Sequence, residues 1–142
     1  MKDPKLTQII TGIEGKIEPE LRQDYEKIVT AAMKILFSDQ THHLLVIAAQ
    51  KIHAGDPQEI PTTVAKISAG IIGLINKEIK GALKPPPCFY AVVTIMCHIV
   101  EYLESTGMPI SDELIGVTIK QCYQDLLDYF HITPEMLDRA HA

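Results

Sequence analysis

The sequence predicts an all-α protein, a single-domain helical bundle of about five long helices with short terminal helices, over residues 1–142. Every long segment repeats its apolar residues at the three- and four-residue spacing of one helix face. Prolines, glycines and N-capping side chains divide the chain at helix-like intervals. No segment alternates convincingly with the two-residue period of a strand. A chain that is 46% hydrophobic and this long can bury a core as one domain.

Capping residues and prolines predict where each helix begins. A side-chain oxygen at the N-cap accepts a hydrogen bond from the first turn, and proline suits that turn because it needs no N–H there. Glycine directly after the last apolar residue marks an end. The predicted helices run from Asp3 to Gly12 or Gly15, Pro19 to Phe37, Ser38 or Asp39 to Gly55, Pro61 to Leu83, Pro87 to Thr106, Ser111 to Phe130, and briefly onward from Thr133.

Each long helix carries apolar positions that are expected to face the core. The segment from Cys88 to Val100 is apolar nearly all round, so we expect the other helices to surround it. The remaining core positions are Leu21, Tyr25, Ile28, Val29, Ala32, Met33, Ile35, Leu36, Leu44, Leu45, Val46, Ile47, Ile52, Val64, Ile67, Ile71, Ile72, Leu74, Ile75, Ile79, Leu114, Ile115, Val117, Ile119, Cys122, Tyr123, Leu126, Leu127 and Phe130.

A run of three prolines precedes the central apolar helix. Proline inside a helix removes a hydrogen bond and clashes with the preceding turn. The segment 84–87 is therefore expected to form a stiff, extended connector. The apolar stretch that follows is shorter than the roughly 20 residues that a membrane span needs, so we expect a core helix and no transmembrane segment.

Charge is unevenly distributed along the chain. The net charge is −5, and a nucleic-acid partner is disfavoured because such proteins normally present a basic face. Residues 61–84 hold four lysines against one glutamate, a net charge of +3, whereas residues 85–142 hold two basic against eight acidic residues, a net charge of −6. Two interpretations stay open. These are ordinary solvated helix faces, or the basic edge of one subunit meets the acidic edge of a neighbour.

The three cysteines have no metal-binding or redox spacing. Cys88, Cys97 and Cys122 are odd in number, and buried reduced thiols are the expected state. The first fifteen residues contain four charges and no continuous apolar run, which is not typical of a signal peptide. We expect a cytoplasmic or virion location and no secretion by a signal peptide.

Four carboxylates form the one motif with a catalytic precedent. Glu101-x-x-Glu104 followed by Asp125-x-x-Asp128 resembles the metal motif of all-α nucleotide pyrophosphohydrolases of the MazG type, with an aspartate where glutamate is usual. The resemblance implies Mg²⁺ held by these four residues. Helix geometry argues against it, because Glu104 ends one helix and Asp125 lies well inside the next. Their separation along the axes would be roughly 20 Å.

His98 is the one histidine in the central apolar helix. His98-x-x-Glu101 places two possible ligands on one face, but a di-iron bundle needs two Glu-x-x-His motifs, and the sequence has none. We expect His98 to be a hydrogen-bonded histidine of the core or of an interface. No catalytic, cofactor-binding or metal-binding residue is assigned, and no cofactor is expected.

The segment from Lys84 through Leu114 resembles, in general style, the small all-helical virion and head–tail assembly proteins of tailed bacteriophages. The likeness carries no functional residue across. Together with the missing catalytic motifs, it favours a non-enzymatic structural or assembly subunit that contacts protein partners, including copies of itself in a homo-oligomer. Two alternatives stay open: a small regulatory or anti-defence protein that masks a host enzyme, and a metal-dependent hydrolase that uses His98, Glu101 and Glu104.

Overall fold

A computed structural model describes residues 3–133, 135 and 136. Within that range the protein is a bundle of six α-helices, 82% helical and without strands, so the predicted all-α class is confirmed. The first helix is longer than the short terminal helix that the sequence predicts. The described part of the chain therefore has six long helices where the sequence predicts about five. The helices are α1 (Pro4–Lys16), α2 (Pro19–Leu36), α3 (Asp39–Ala54), α4 (Ile60–Glu78), α5 (Pro85–Ser105) and α6 (Asp112–Tyr129), with a 3₁₀ turn at Pro57–Glu59.

Helix α5 is the centre of the bundle and packs against α1, α2, α4 and α6. Twelve of its residues are buried, which confirms the prediction of a surrounded helix. Among the described residues, it is also the one helix long and apolar enough to cross a membrane by length and composition, with 67% of the tested window buried inside the protein. The same apolar surface therefore serves as the core of this bundle.

Three predicted N-caps form as expected. The side chain of Asp3 accepts from the Lys5 N–H at 2.8 Å, and that of Ser111 accepts from the Leu114 N–H at 3.2 Å. Ser38 caps α3 with a longer contact to the Thr41 N–H, at 3.4 Å. Each cap satisfies an N–H that the helix itself leaves without a partner.

The prediction of an extended proline connector is wrong. All three prolines belong to the first turn of α5, and Lys84 is the N-cap in an extended conformation. The first four N–H groups of a helix have no carbonyl partner within it, so prolines at these positions remove no hydrogen bond. Pro87 is buried, and the run therefore begins the central helix instead of separating it from α4.

Helix α4 ends at Glu78 and not at Leu83 as predicted. Lys80 and Gly81 adopt positive φ angles of 57° and 79°, which turn the chain out of the helix. The Gly81 N–H donates to the Asn76 carbonyl at 2.7 Å, and the Asn76 side chain accepts from the Leu83 N–H at 3.0 Å. The apolar residues beyond the turn continue the helical spacing in the sequence, so the predicted helix is too long. The short last helix predicted from Thr133 falls largely outside the described residues.

Five residues assigned to core faces are instead exposed. Leu74, for example, lies about 100° around α4 from the buried Ile75 and is 52% exposed. Sequence periodicity counts apolar positions, but a neighbouring helix covers only part of a wide stripe. The five are Leu44, Leu74, Ile79, Val117 and Tyr123. The three cysteines are free and buried, as expected.

Candidate functional site

A cleft of about 630 Å³ opens where the last turns of α5 meet the start of α1 and the end of α2. It combines aromatic rings with acidic groups. Below, it is called the acidic cleft. Its lining residues are Asp3, Phe37, His98, Glu101, Tyr102, Glu104 and Ser105.

Local helix signals place each wall of the acidic cleft. Asp3 is held by its capping bond at the start of α1, and α1 begins beside the end of α5. Phe37 follows the last residue of α2, where the chain turns into α3. His98 and Tyr102 are four residues apart on α5 and so share one face. The site is thus formed by helix ends.

Asp3 and Glu104 form a carboxyl pair in this cleft. Loss of water contact, and secondly the hydrogen bond and negative charge of Asp3, raise the pKa of Glu104 to about 7. A hydrogen bond from Glu104 and one from the Lys5 N–H lower the pKa of Asp3. One Glu104 oxygen, Oε1, is enclosed and has no hydrogen-bond partner among the described groups. A proton on Glu104 lets its carboxyl donate to Asp3, so the pair holds one proton at pH values between the lowered pKa of Asp3 and about 7.

Two histidines meet aromatic rings at the edges of the cleft. The rings of His98 and Phe37 meet edge to face, with centroids 6.4 Å apart, and those of His42 and Tyr102 do so at 5.8 Å. Burial lowers the pKa of His98, against the opposing effect of the nearby Glu101 carboxylate. The lowered pKa favours the neutral imidazole of His98. His98 is half-buried, which places it at the border of the core.

Of the residues considered for metal chemistry, the structure brings His98, Glu101 and Glu104 into one cleft. Asp125 and Asp128 do not line it, and they accept hydrogen bonds from Gln121 and Gln124 on their own helix, α6. Over the part of the chain that the structure describes, no three His, Cys, Asp or Glu side chains converge as a metal site would require.

Two residues of the cleft, Asp3 and Phe37, are not predicted from the sequence as site residues. The sequence predicts a capping role for Asp3 and a position at the end of a helix for Phe37. The exposure of Phe37 has no signal in the sequence, since an apolar residue directly before a serine N-cap commonly packs against the helix that follows. No sequence pattern links Asp3 to Glu104.

The acidic cleft can accept a basic or apolar group. Carboxylates attract an ammonium or guanidinium group, and the faces of Phe37 and Tyr102 suit the same cations. Comparison with protein-family models, curated proteins and solved structures finds no match.

Proposed function

We propose that this chain is a non-enzymatic assembly subunit that acts through contacts between its helix faces and other protein chains. The observation that carries the proposal is the exposure of Phe37, whose side chain is 70% exposed. An exposed aromatic ring gains free energy when a partner covers it, and protein interfaces are enriched in aromatic residues. Leu44, which is 61% exposed, adds a second large apolar group at the start of α3.

Self-association is the form of contact that we propose first, and a phage virion is the setting. The uneven charge of the chain supports contact between unlike edges of identical subunits. The general style of the segment from Lys84 through Leu114 supports the virion setting. Self-association and the virion setting are both proposed from the sequence together with the exposed apolar residues.

Sedimentation velocity of the purified chain tests the proposal directly. We expect a concentration-dependent particle with a mass that is a multiple of 15.8 kDa at micromolar concentration. A monomer at every concentration, together with no partner in pull-downs from the host, would contradict the proposal. A monomer that instead co-purifies with one host enzyme at a fixed ratio would favour the masking protein over the assembly subunit.

The hydrolase alternative has one supporting observation, which is that His98, Glu101 and Glu104 line the same cleft. Calorimetric titration with Mg²⁺ and Mn²⁺ separates it from the assembly subunit. The alternative requires binding heat that Glu101→Gln and Glu104→Gln each abolish, and nucleotide hydrolysis that depends on the metal. The assembly subunit requires neither.

A further inference from the structure

A second concave surface lies between the middle of α2, the end of α4 and the start of α5. This surface, the α2–α4 groove, has a volume of about 350 Å³ and a mainly apolar lining. Ile79 lies in it and is 44% exposed, so its apolar surface faces solvent. The lining residues are Asp24, Lys27, Ile28, Ala31, Ile75, Ile79, Ala82, Leu83, Lys84 and Pro87.

Phe37, which directly follows α2, lines the acidic cleft and not this groove. Ile28, in the groove, and Phe37 are nine residues apart, which corresponds to half a turn around the helix and about 14 Å along it. Phe37 therefore cannot fill the groove of its own chain. It can reach the groove of another copy.

The two surfaces also carry unlike charges. Lys27 and Lys84 line the α2–α4 groove, and Lys77 and Lys80 lie at the adjacent end of α4, against Asp24 and Glu78. By contrast, the described residues that line the acidic cleft beside Phe37 include Asp3, Glu101 and Glu104 and no lysine or arginine, and the Asp3–Glu104 pair carries one negative charge while Glu104 is protonated. Opposite charges around an apolar centre favour one orientation of approach and exclude like-to-like pairing of either surface.

We propose that copies of this chain associate head to tail, with Phe37 of one copy seated in the α2–α4 groove of the next. The inference rests on the proposed function and names its partner, which is a second copy of the same chain. A contact between two different surfaces is heterologous, so it leaves one Phe37 and one groove open in every pair. Repetition gives a ring if the rotation closes and an open filament if it does not.

Two single variants test the two sides of the contact. Phe37→Ser removes the inserted ring, and Ile79→Glu places a negative charge where the acidic cleft of the next copy would dock. Each variant is expected to weaken association at least about 30-fold, which is the effect of losing a central interface residue. Val117→Ser and Val117→Glu are matched controls, because Val117 is 52% exposed and lines neither surface.

Mixing the two variants distinguishes head-to-tail association from a symmetric dimer. The Ile79→Glu copy keeps its Phe37, and the Phe37→Ser copy keeps its groove, so one intact contact joins them. An equimolar mixture should form a dimer of one copy of each and nothing larger, whereas each variant by itself stays monomeric. Sedimentation velocity reads the size, and circular dichroism checks that all variants remain helical.

The outcomes separate this inference from the proposed function. Association of the native chain that neither substitution weakens beyond the Val117 controls would overturn the head-to-tail contact and leave the assembly function standing. Variants that are both monomeric and do not dimerise when mixed would also overturn it. A native chain that is monomeric at all concentrations and captures no partner would overturn both.

Discussion

The hydroxyl oxygens of Tyr25 and Thr94 lie 2.8 Å apart between α2 and α5. Each residue is only 3% exposed, so the bond is made without competition from water. A buried hydroxyl that loses its partner bears the full cost of desolvation. This bond therefore joins α2 to the central helix inside the core and adds to stability.

Replacing Tyr25 with phenylalanine is expected to lower the free energy of unfolding by about 1–2 kcal/mol, because the Thr94 hydroxyl is left in the core without this partner. Urea unfolding measures the loss. Tyr129→Phe is the matched control, since the Tyr129 hydroxyl bonds Asn76 at a site that is 40% exposed, and it should cost clearly less. Adding Thr94→Val to Tyr25→Phe should recover part of the loss, and strict additivity of the two would contradict a coupled pair.

Glu104 should make stability depend on pH. Its pKa is about 7 in the folded chain against an ordinary value of 4.5, so between these values the folded state binds more protons than the unfolded state. Stability therefore falls as pH rises from about 4.5 to about 7. The amplitude should be about 1–2 kcal/mol, since the cleft is open to water that screens the charge.

Glu104→Gln isolates this effect in melting curves taken across the same pH range. The difference in stability between the variant and the native chain should grow in favour of the variant up to about pH 7 and then level off. The comparison is needed because the lowered pKa of His98 makes stability rise with pH below about 6.5. Asp3→Asn keeps a capping side chain but removes a charge, and it should shrink the Glu104 effect. If the stabilities of Glu104→Gln and the native chain changed with pH in parallel, the prediction of a raised Glu104 pKa would be wrong.

The three thiols should be inert in the folded protein. Burial raises the pKa values of Cys88, Cys97 and Cys122 to about 12 each, so almost no thiolate is present at pH 8. Under native conditions a thiol-exchange reagent should label none of them within the time that labels a free cysteine, and in denaturant it should label all three. One thiol that reacts rapidly in the folded chain would contradict the packing around α5.

Two glycine substitutions should change stability in opposite directions. A methyl group at Gly70 in α4 meets nothing within 4 Å, so Gly70→Ala should stabilise the chain by about 0.5–1 kcal/mol through helix propensity. Gly81 has a φ of 79°, and Gly81→Ala should destabilise the chain by about 1 kcal/mol. Both are measured by urea unfolding at one pH. Equal signs for the two would contradict the assigned end of α4.

Local signals predicted helix starts better than helix ends. Asp3, Ser38 and Ser111 were identified because a capping bond involves residues only two or three positions apart. The end of α4 was missed because a non-glycine residue, Lys80, takes a positive φ there, and the bonds that hold the turn come from Asn76. The proline run was misassigned because the rule against proline applies to helix interiors and not to the first turn.

The candidate site was predicted only in part. Glu104 was considered as a partner of Asp125, whereas the structure pairs it with Asp3, about a hundred residues away in sequence. His98, Glu101 and Glu104 share α5, so helix spacing places them near one another. Helix spacing does not predict which other helix end packs beside these three residues, because that depends on the packing of the whole bundle.

The sequence by itself determined the all-α class, the N-caps and the central position of the apolar helix α5, because these depend on neighbouring residues and on the spacing of apolar side chains. Only the tertiary structure decided which apolar side chains stay exposed. Phe37, Leu74 and Ile79 are as apolar as the residues that the core encloses. The difference is that a neighbouring helix covers one side of each apolar stripe and leaves the other side exposed to solvent. Burial therefore depends on where the neighbouring helix packs and not on the residue type.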